Sequence, residues 1–341
     1  MSNSQSFSVA KTRVAVIGIG AMGRNHVRVY SEMPDVEIVG VADVFADAAL
    51  AVGRRYGCPH YTDFCQLLDE QRPEVVSIAV PTLQHLEVAQ EVIRRGIHLL
   101  IEKPIALSVV DAQTIIAAAH AADVVLTIGH IERFNPAVVS LKERLAAGEL
   151  GRVFQIIAQR QGPFPARVRD VGVVIDLAVH DLDIIRYISN AEITRVYAET
   201  ERHIHTTHED LVNGLLRLSN GATGVLSINW LTPTKIRELT VIGERGMFRV
   251  DYLTQDLFFY ENALVSSAGW DSLDVLRGVT EGRMIRHVVN KKEPLRAELE
   301  AFLAAVRGLG PVAVTGEDGL KAVELAQDVV QSGLEQRVIN L

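Results

Sequence analysis

The chain has 341 residues, of which 48% are hydrophobic and 22% charged, with a formal net charge of −8. This length suits two domains, and a chain of this size can bury a large core without disulfides or metals. The acidic balance argues against nucleic-acid binding, which needs a basic surface. No stretch reaches the roughly 18 apolar residues of a membrane-spanning helix. Neither a nucleic acid nor a membrane is therefore an expected partner.

Two further features indicate the cellular setting. The two cysteines, Cys58 and Cys65, have a spacing that fits neither a zinc site nor a redox motif. Residues 1–11 are rich in serine and lack the charged start and apolar stretch of a secretory signal. We therefore expect a reducing, cytoplasmic setting and a short flexible lead-in.

Short apolar strands and helices alternate over the first third of the chain. The strands are predicted at residues 13–17, 36–42, 75–80, 97–101 and 124–128. The helices are predicted at residues 21–32, 46–56, 82–95 and 112–121. Apolar strands separated by helices are typical of a parallel sheet covered on both faces, and right-handed crossovers then give a doubly wound α/β Rossmann fold.

The pattern changes near residue 150. Strands are predicted at residues 153–161, 193–204, 212–218, 223–230, 237–242 and 247–252, and helices at residues 174–189, 298–307 and 319–333. Asn220-Gly221 is typical of a hairpin turn between two of these strands. We expect an α+β domain with an open antiparallel sheet. The domains are placed at residues 11–130 and 131–341, with the final helices as candidates to pack back on the first domain.

A glycine loop separates the first strand from the first helix. Gly18 permits a tight turn, Gly20 lets the backbone approach a pyrophosphate, and Gly23 allows close packing of the helix on the strand. The amide groups of Ala21 and Met22 open the helix, where an anion is favoured. The loop therefore predicts a dinucleotide site, although a glycine turn without a ligand is the alternative.

Asp43 decides which dinucleotide is expected. It follows the second strand, where an acidic residue binds the hydroxyl groups of the ribose. Its neighbours Val44 and Phe45 offer no positive charge to a 2′-phosphate. The sequence therefore favours NAD over NADP.

Two more strand ends are expected at the cofactor, because the carboxyl ends of the strands face the ligand in this fold. After the 75–80 strand, Thr82 resembles an N-cap. The residues expected to bind the cofactor here are Val80, Pro81, Thr82 and His85. A solvated histidine at a helix start is an equal alternative for His85.

Glu102-Lys103-Pro104 directly follows the 97–101 strand, which places Glu102 and Lys103 near the nicotinamide. Pro104 fits a tight turn with a cis bond. Taken alone, a lysine in a turn is usually only solvated.

A second candidate pair lies on the 174–189 helix. Asp176 and His180 are four residues apart, so one helical face presents both. Oxidising an alcohol needs a base for the hydroxyl proton, and histidine, with an ordinary pKa of about 6.5, suits that task. The carboxylate can orient the imidazole. An acidic residue and a histidine in an ordinary helix are the alternative.

We expect no metal site. Three histidines, His203, His205 and His208, form a short cluster that could bind zinc, but their sequence context is typical of an exposed turn. Asp176 and His180 would supply only two ligands.

In their order and spacing, the glycine loop with Asp43, Glu102-Lys103-Pro104 and Asp176-x-x-x-His180 resemble the glucose-fructose oxidoreductase/inositol dehydrogenase/MocA family over nearly the whole chain. The resemblance implies that Lys103, Asp176 and His180 form the catalytic group. His180 would then be the acid/base, and Lys103 would bond the reacting hydroxyl and help to hold the nicotinamide. It also implies an open sheet used for oligomer contacts, and hence a homodimer or homotetramer. One departure is that only Gly172 remains of the glycine run that often precedes the Asp-x-x-x-His motif.

Residues 129–136 carry a narrower resemblance, to members of the family that oxidise the C3 hydroxyl of UDP-N-acetylglucosamine to a ketone. Their product is similar to the precursor of 3-amino sugars made by a partner aminotransferase. This implies a UDP-sugar substrate, whose diphosphate needs arginines. The candidate substrate residues are His130, Arg133, Phe134, Asn135, Arg160, Arg167 and Arg169, besides Asp176 and His180.

Several alternatives stay open for this segment and for the chain. Arg167 and Arg169 are alternatively charged loop residues that contact only solvent. Glu132 and Arg133 alternatively form a surface ion pair of little energetic value. The substrate is alternatively inositol, a free sugar or another nucleotide sugar. A catalytically inactive NAD-binding sensor is an alternative of another class.

Overall fold

A computed structural model of the chain describes residues 11–165, 168, 171–263 and 281–341. The chain divides into two compact units. The first unit runs to His130 and includes Leu295–Val323, and the second comprises Ile131–Pro294 and Glu324–Leu341.

The first unit contains a six-stranded parallel sheet. Its strands are β1 Thr12–Ile17, β2 Val36–Ala42, β3 His60–Tyr61, β4 Val75–Ile78, β5 His98–Glu102 and β6 Leu126–Gly129. Its first helices are α1 Ala21–Ser31, α2 Ala46–Tyr56, α3 Phe64–Gln71, α4 His85–Arg94 and α5 Val109–Ala121. The strand order is β3-β2-β1-β4-β5-β6, so the winding reverses between β1 and β4. Ligands bind at such a switch point, outside the carboxyl ends of the strands.

The predicted Rossmann fold is confirmed, and burial explains why its strands are readable in the sequence. All four residues of β4 are buried, as are most of β1 and β5, because helices cover both faces of the sheet. Two elements were not predicted: β3, which has only two residues, and α3. Asp63 caps α3, since its carboxylate accepts a hydrogen bond from the Cys65 amide at 2.8 Å.

The second unit contains a nine-stranded sheet. Its strands are β7 Val153–Pro163, β8 Ile193–Glu201, β9 Leu211–Leu218, β10 Thr223–Asn229, β11 Leu231–Gly243, β12 Gly246–Asp251, β13 Asp256–Asn262, β14 Glu281–His287 and β15 Ile339–Asn340. The remaining helices of the chain are α6 Pro136–Ala146, α7 Val179–Ser189, α8 Pro294–Val306 and α9 Gly316–Glu335, with a π-helical turn at Val174–Ala178. The strand order is β14-β13-β12-β11-β7-β10-β9-β8-β15.

The predicted α+β architecture is confirmed, with one difference in strand pairing. Neighbouring strands are antiparallel except β7 and β10, which pair in parallel from Gln155↔Thr223 to Gln161↔Asn229. Parallel neighbours need a long crossover, and here the chain passes through α7, β8 and β9 between them. Four elements of this unit were not predicted, namely α6, β13, β14 and β15.

The core of the second unit lies on one face of this sheet. Residues alternate along β9, so that Val212 and Leu216 are buried while Leu215 is 59% exposed. The buried face packs against α6 and α7, which contribute Leu141 and Leu182 to the same core. Among the described residues, the opposite face of β9 is therefore exposed, in agreement with the predicted open sheet.

Across the described part of the chain, no helix has both the length and the apolarity needed to cross a membrane.

Candidate active site

The glycine loop has the geometry of a phosphate cradle. Gly18 has φ +90°, and a Cβ atom there would lie 2.6 Å from the backbone of Ala79. A Cβ atom on Gly23 would lie 1.8 Å from the Gly18 carbonyl oxygen, so both positions require glycine. At Gly20, by contrast, a Cβ atom would meet no atom of the described residues within 4 Å. Gly20 also begins α1 without a side-chain cap, which leaves the first amides of the helix suited to a phosphate.

Asp43 is tied to this loop. One carboxylate oxygen accepts a hydrogen bond from the Ile19 amide at 2.6 Å, and the other accepts from the Phe45 amide at 2.9 Å. A carboxylate has about four acceptor sites, so it can also accept from the ribose hydroxyls. The loop, the uncapped helix and the carboxylate together fit NAD.

The turn after β5 is built around Pro104. The Lys103–Pro104 peptide bond is cis, and Lys103 is partly exposed. His85 is buried behind this turn, with Nδ1 3.0 Å from the Pro104 carbonyl oxygen and Nε2 3.1 Å from that of Val80. Burial lowers the pKa of His85, which favours the neutral ring. The histidine therefore joins two backbone segments near the cofactor site, and the alternative of a solvated histidine is wrong.

Thr82 does not cap α4, which corrects the prediction. Thr82–Gln84 forms a 3₁₀ turn that precedes the helix, and the Thr82 carbonyl oxygen accepts the His85 amide. The residue before α4 is Gln84, which makes no side-chain capping bond. Pro81 lies exposed at the start of the turn. Cofactor contacts of Val80, Pro81, Thr82 and His85 remain predictions.

Glu102 is held from inside the first unit by a cluster that was not predicted from the sequence. His26 of α1 is buried, and its Nε2 lies 2.8 Å from a Glu102 carboxylate oxygen. Glu298 of α8 is 2% exposed, and burial, followed by the charge of Glu102, raises its pKa well above the ordinary value. Glu298 is therefore favoured as a neutral acid. The only signal in the sequence is a histidine and a glutamate on otherwise apolar helix faces.

Asp176 and His180 lie at the start of the predicted helix, but its first turn is wider than an α-helical turn. Asp176 lies in the π-helical turn, and His180 in the first turn of α7. The Val179 amide donates to the Val174 carbonyl oxygen, five residues back. Such turns occur frequently at functional sites. Four residues make somewhat less than one π-helical turn, so the two partly exposed side chains still share a face.

The loop before β9 fixes this turn. The Glu209 carbonyl oxygen accepts the Val173 amide at 2.9 Å, and its carboxylate accepts the Val174 amide at 3.1 Å. A Cβ atom on Gly172 would lie 2.1 Å from that carboxylate. The single glycine that remains in this segment is therefore the one that lets Glu209 reach the start of the helix.

Two predicted substrate arginines have buried carboxylate partners. Arg133, in the 3₁₀ turn Ile131–Phe134, donates from Nε and Nη2 to Asp183 of α7 at 2.8 and 2.5 Å. Arg160 of β7 donates to Asp181 of α7 at 2.7 and 3.1 Å, and to Glu132 at 3.0 Å. The alternative of a surface ion pair between Glu132 and Arg133 is wrong, because Arg133 pairs with the buried Asp183 and Glu132 with the buried Arg160. These arginines attach α7 to its neighbours, and contact with a diphosphate remains a prediction.

The other predicted substrate residues occupy different surroundings. Asn135 caps α6, since its side chain accepts the Ala137 amide at 3.2 Å and donates to the Tyr252 carbonyl oxygen at 3.1 Å. His130 is buried directly after β6, and Phe134 is partly exposed. Substrate contacts of these three residues remain predictions. Arg167 and Arg169 lie outside the described residues.

Arg237 of β11, which was not predicted as a site residue, is partly buried and pairs with Arg160 in the ladder between β11 and β7. Burial, followed by the charge of Arg160, lowers the pKa of the Arg237 guanidinium, and the carboxylates of Asp181, Glu132 and Asp176 act in the opposite direction. The only signal in the sequence is its position at the start of the predicted 237–242 strand. The strand pairing that places it opposite Arg160 is not visible in the sequence.

The three histidines lie in a loop whose backbone amides donate hydrogen bonds to side chains of the same segment. The Asp210 carboxylate accepts the amides of His203, Ile204 and His205, and the His205 Nδ1 accepts those of Thr207 and His208. Over the described ranges, no group of three or more histidine, cysteine, aspartate or glutamate side chains is arranged to hold a metal ion.

The Rossmann unit with this glycine loop defines an NAD-dependent oxidoreductase. Residues 12–130 match the oxidoreductase family with an NAD-binding Rossmann fold, and residues 138–249 match the GFO/IDH/MocA C-terminal domain. The chain therefore belongs to the glucose-fructose oxidoreductase/inositol dehydrogenase/MocA family, whose members include NAD-dependent sugar and inositol dehydrogenases.

Two relatives show the range of that family. The chain is 31% identical to UDP-N-acetylglucosamine 3-dehydrogenase of Acidithiobacillus ferrooxidans, over 93% of this chain and 96% of the relative. A solved structure of that enzyme has a TM-score of 0.83 at 29% identity, covering 95% of this chain and 98% of the other. Myo-inositol 2-dehydrogenase of Thermotoga maritima is 25% identical over 96% of this chain and 98% of the relative.

Proposed function

We propose that this protein oxidises the C3 hydroxyl of UDP-N-acetylglucosamine to a ketone, with NAD as the hydride acceptor. The observation that carries the proposal is the 31% identity to an enzyme with this name over 93% of the chain, with Lys103, Asp176 and His180 all present.

In the proposed reaction the hydroxyl proton and the hydride leave in different directions. His180 takes the proton from the hydroxyl oxygen, and Asp176, which shares its helical face, orients the imidazole and stabilises its charged form. Lys103 donates a hydrogen bond to the same oxygen. Bound NAD supplies the hydride acceptor. The carbon loses a hydride and the oxygen a proton, which leaves a carbonyl group.

The first alternative is a dehydrogenase for inositol or another sugar, favoured by the 25% identity to myo-inositol 2-dehydrogenase. An inactive NAD-binding sensor is less favoured, because a binder without turnover has no need of all three residues.

The proposal includes a setting and partners. The free thiols of Cys58 and Cys65 support a reducing cytoplasm. Leu215 and Met284, which are 59% and 61% exposed on strands of the open sheet, support a homodimer or homotetramer formed through that face. A ketone at C3 is the substrate that an aminotransferase needs to install a 3-amino group, which supports such an enzyme as the next in sequence.

A substrate panel tests the proposal. The purified protein is incubated with NAD and, separately, UDP-N-acetylglucosamine, UDP-glucose, N-acetylglucosamine and myo-inositol, and NADH absorbance is followed. We expect reduction with UDP-N-acetylglucosamine alone. Faster reduction with myo-inositol would contradict the proposed substrate, and NAD binding without reduction in any arm would favour the sensor.

A further inference from the structure

Arg237 lies on the face of the second-unit sheet that α7 covers. It pairs directly with Arg160 in the ladder between β11 and β7, and the next pair on this face is Leu239 with Ala158, both buried. Arg160 contacts Asp181 of α7 from this face. Two arginines therefore lie opposite each other on the covered side of the sheet, where like charges are unfavourable.

Within the described residues, only Arg160 of these two arginines has an ion-pair partner. Arg160 has two carboxylate partners, Asp181 and Glu132. The Nη1 group of Arg237 donates hydrogen bonds to the carbonyl oxygens of Gln161 at 2.5 Å and Ile236 at 2.8 Å. Among the residues that the structure describes, no carboxylate lies within ion-pair distance of Arg237. Its Nε and Nη2 donors make no hydrogen bond there either.

An anion that accepts from the remaining N–H donors of this partly buried guanidinium would form charge-assisted hydrogen bonds. Position 162 beside it is a glycine, where a Cβ atom would lie 3.6 Å from the Lys235 side chain and 3.9 Å from Nη1 and Nη2 of Arg237. The Asp176 carboxylate is close enough to influence the pKa of Arg237. Arg160, the partner of Arg237 in the ladder, contacts Asp181, the residue that follows His180, so Arg237 lies on the sheet face that is covered by the helix of the predicted acid/base pair.

We propose that Arg237 binds an anionic oxygen of the substrate and thereby selects charged sugars over neutral ones. This inference rests on the proposed function in one respect: it assumes that the sugar reacts at Asp176 and His180. The anionic oxygen belongs either to the diphosphate of a nucleotide sugar or to the carboxylate of a sugar acid. A planar guanidinium suits both, since each offers two oxygens to a fork of N–H donors.

The test measures binding rather than turnover. Isothermal titration with UDP and with glucuronate is performed on the full-length protein saturated with NAD, so that the glycine loop is filled. The variants are Arg237→Gln, Arg237→Lys and the matched control Arg249→Gln. Arg249 lies on β12 of the same sheet and pairs with Glu238. Thermal unfolding checks folding, and R237Q is expected to be as stable as the wild type because Arg237 forms no ion pair with any of the described residues.

We expect R237Q to lower the affinity for one of the two probes roughly tenfold to a hundredfold, which corresponds to the loss of one or two hydrogen bonds to a charged group. R237K should recover part of the loss, and R249Q should bind as the wild type does. If R237Q loses affinity for UDP, the anionic oxygen that Arg237 binds belongs to a diphosphate. If it loses affinity for glucuronate, that oxygen belongs to a carboxylate.

The inference is overturned if the wild type binds neither probe, or if R237Q binds both as the wild type does. This result is separable from the substrate panel. A protein that binds an anion through Arg237 but does not oxidise UDP-N-acetylglucosamine contradicts the proposed function alone. One that oxidises it with an unchanged KM in R237Q contradicts the role of Arg237 alone.

Discussion

Breaking the buried ion pair between Arg160 and Asp181 should destabilise the second unit strongly. Arg160 is 3% exposed, and its Nε and Nη2 donate to both carboxylate oxygens of Asp181. Asp181→Asn keeps the volume but removes the charge, which leaves Glu132 as the remaining counter-charge. Removing one partner of a buried pair typically costs about 3–5 kcal/mol, because the other charge stays buried. We expect a loss of about 3 kcal/mol, at the lower end of that range, since Glu132 is retained.

The chain offers a matched control at the surface. Arg283 donates from Nε and Nη2 to Glu261 at 2.8 and 3.3 Å, but the Arg283 side chain is 79% exposed. Glu261→Gln should leave the free energy of unfolding unchanged, because solvent already screens that pair.

Urea unfolding measures the loss, and hydrogen exchange of the α7 amides locates it. The double variant Arg160→Met/Asp181→Leu should lose less than D181N, since no buried charge is then left alone. Equal behaviour of D181N and E261Q would refute the argument that burial sets the cost. So would a double variant that loses as much stability as D181N does.

Three further predictions concern the site. Replacing Lys103 or His180 by alanine should lower kcat at least 10²-fold, since proton transfer contributes about 10²–10⁴-fold; unchanged turnover in both variants would remove them from the mechanism. Asp43→Ser should weaken NAD and allow NADP, measured as the ratio of kcat/KM for the two cofactors, because the carboxylate that repels a 2′-phosphate is gone. Burial raises the pKa of Glu298, so its contribution to stability is present below its ordinary pKa of 4.5 and is lost as the pH rises through the raised value. Glu298→Gln should therefore flatten the fall in thermal stability as the pH rises above 4.5, and an equally steep fall in both proteins would contradict this.

The first unit is predictable because its signals are local. A glycine loop between a strand and a helix specifies its own geometry, and buried parallel strands appear as continuous apolar runs. The start of α6 shows how one signal can hide another. Asn135-Pro136 is a good helix start, with a capping side chain followed by a proline in the first turn, and α6 begins there in the structure. In the sequence the same residues indicate substrate recognition, and with that interpretation the helix is not predicted.

The second unit is less predictable because its pairings connect distant segments. Asn220-Gly221 fixes the hairpin between β9 and β10, but no local pattern sets the parallel contact of β10 with β7. The π-helical turn is equally non-local, since it depends on Glu209 reaching back to the backbone after Gly172. The Asp176 and His180 pair is recognisable because four-residue spacing survives that distortion.

The arginines show most clearly that the sequence alone does not indicate which charged side chains become partners in the fold. In the sequence, Arg133 and Arg160 are credible partners for a diphosphate, and Arg237 is an ordinary strand residue. In the fold, Asp183 and Asp181 each accept a two-pronged contact from one of the first two, so their charges are compensated internally. Arg237 is left without a carboxylate among the described residues, on the covered face of the sheet. Whether an arginine is available to a substrate is therefore decided by which carboxylates the strand register brings to it, and that register is a property of the whole sheet.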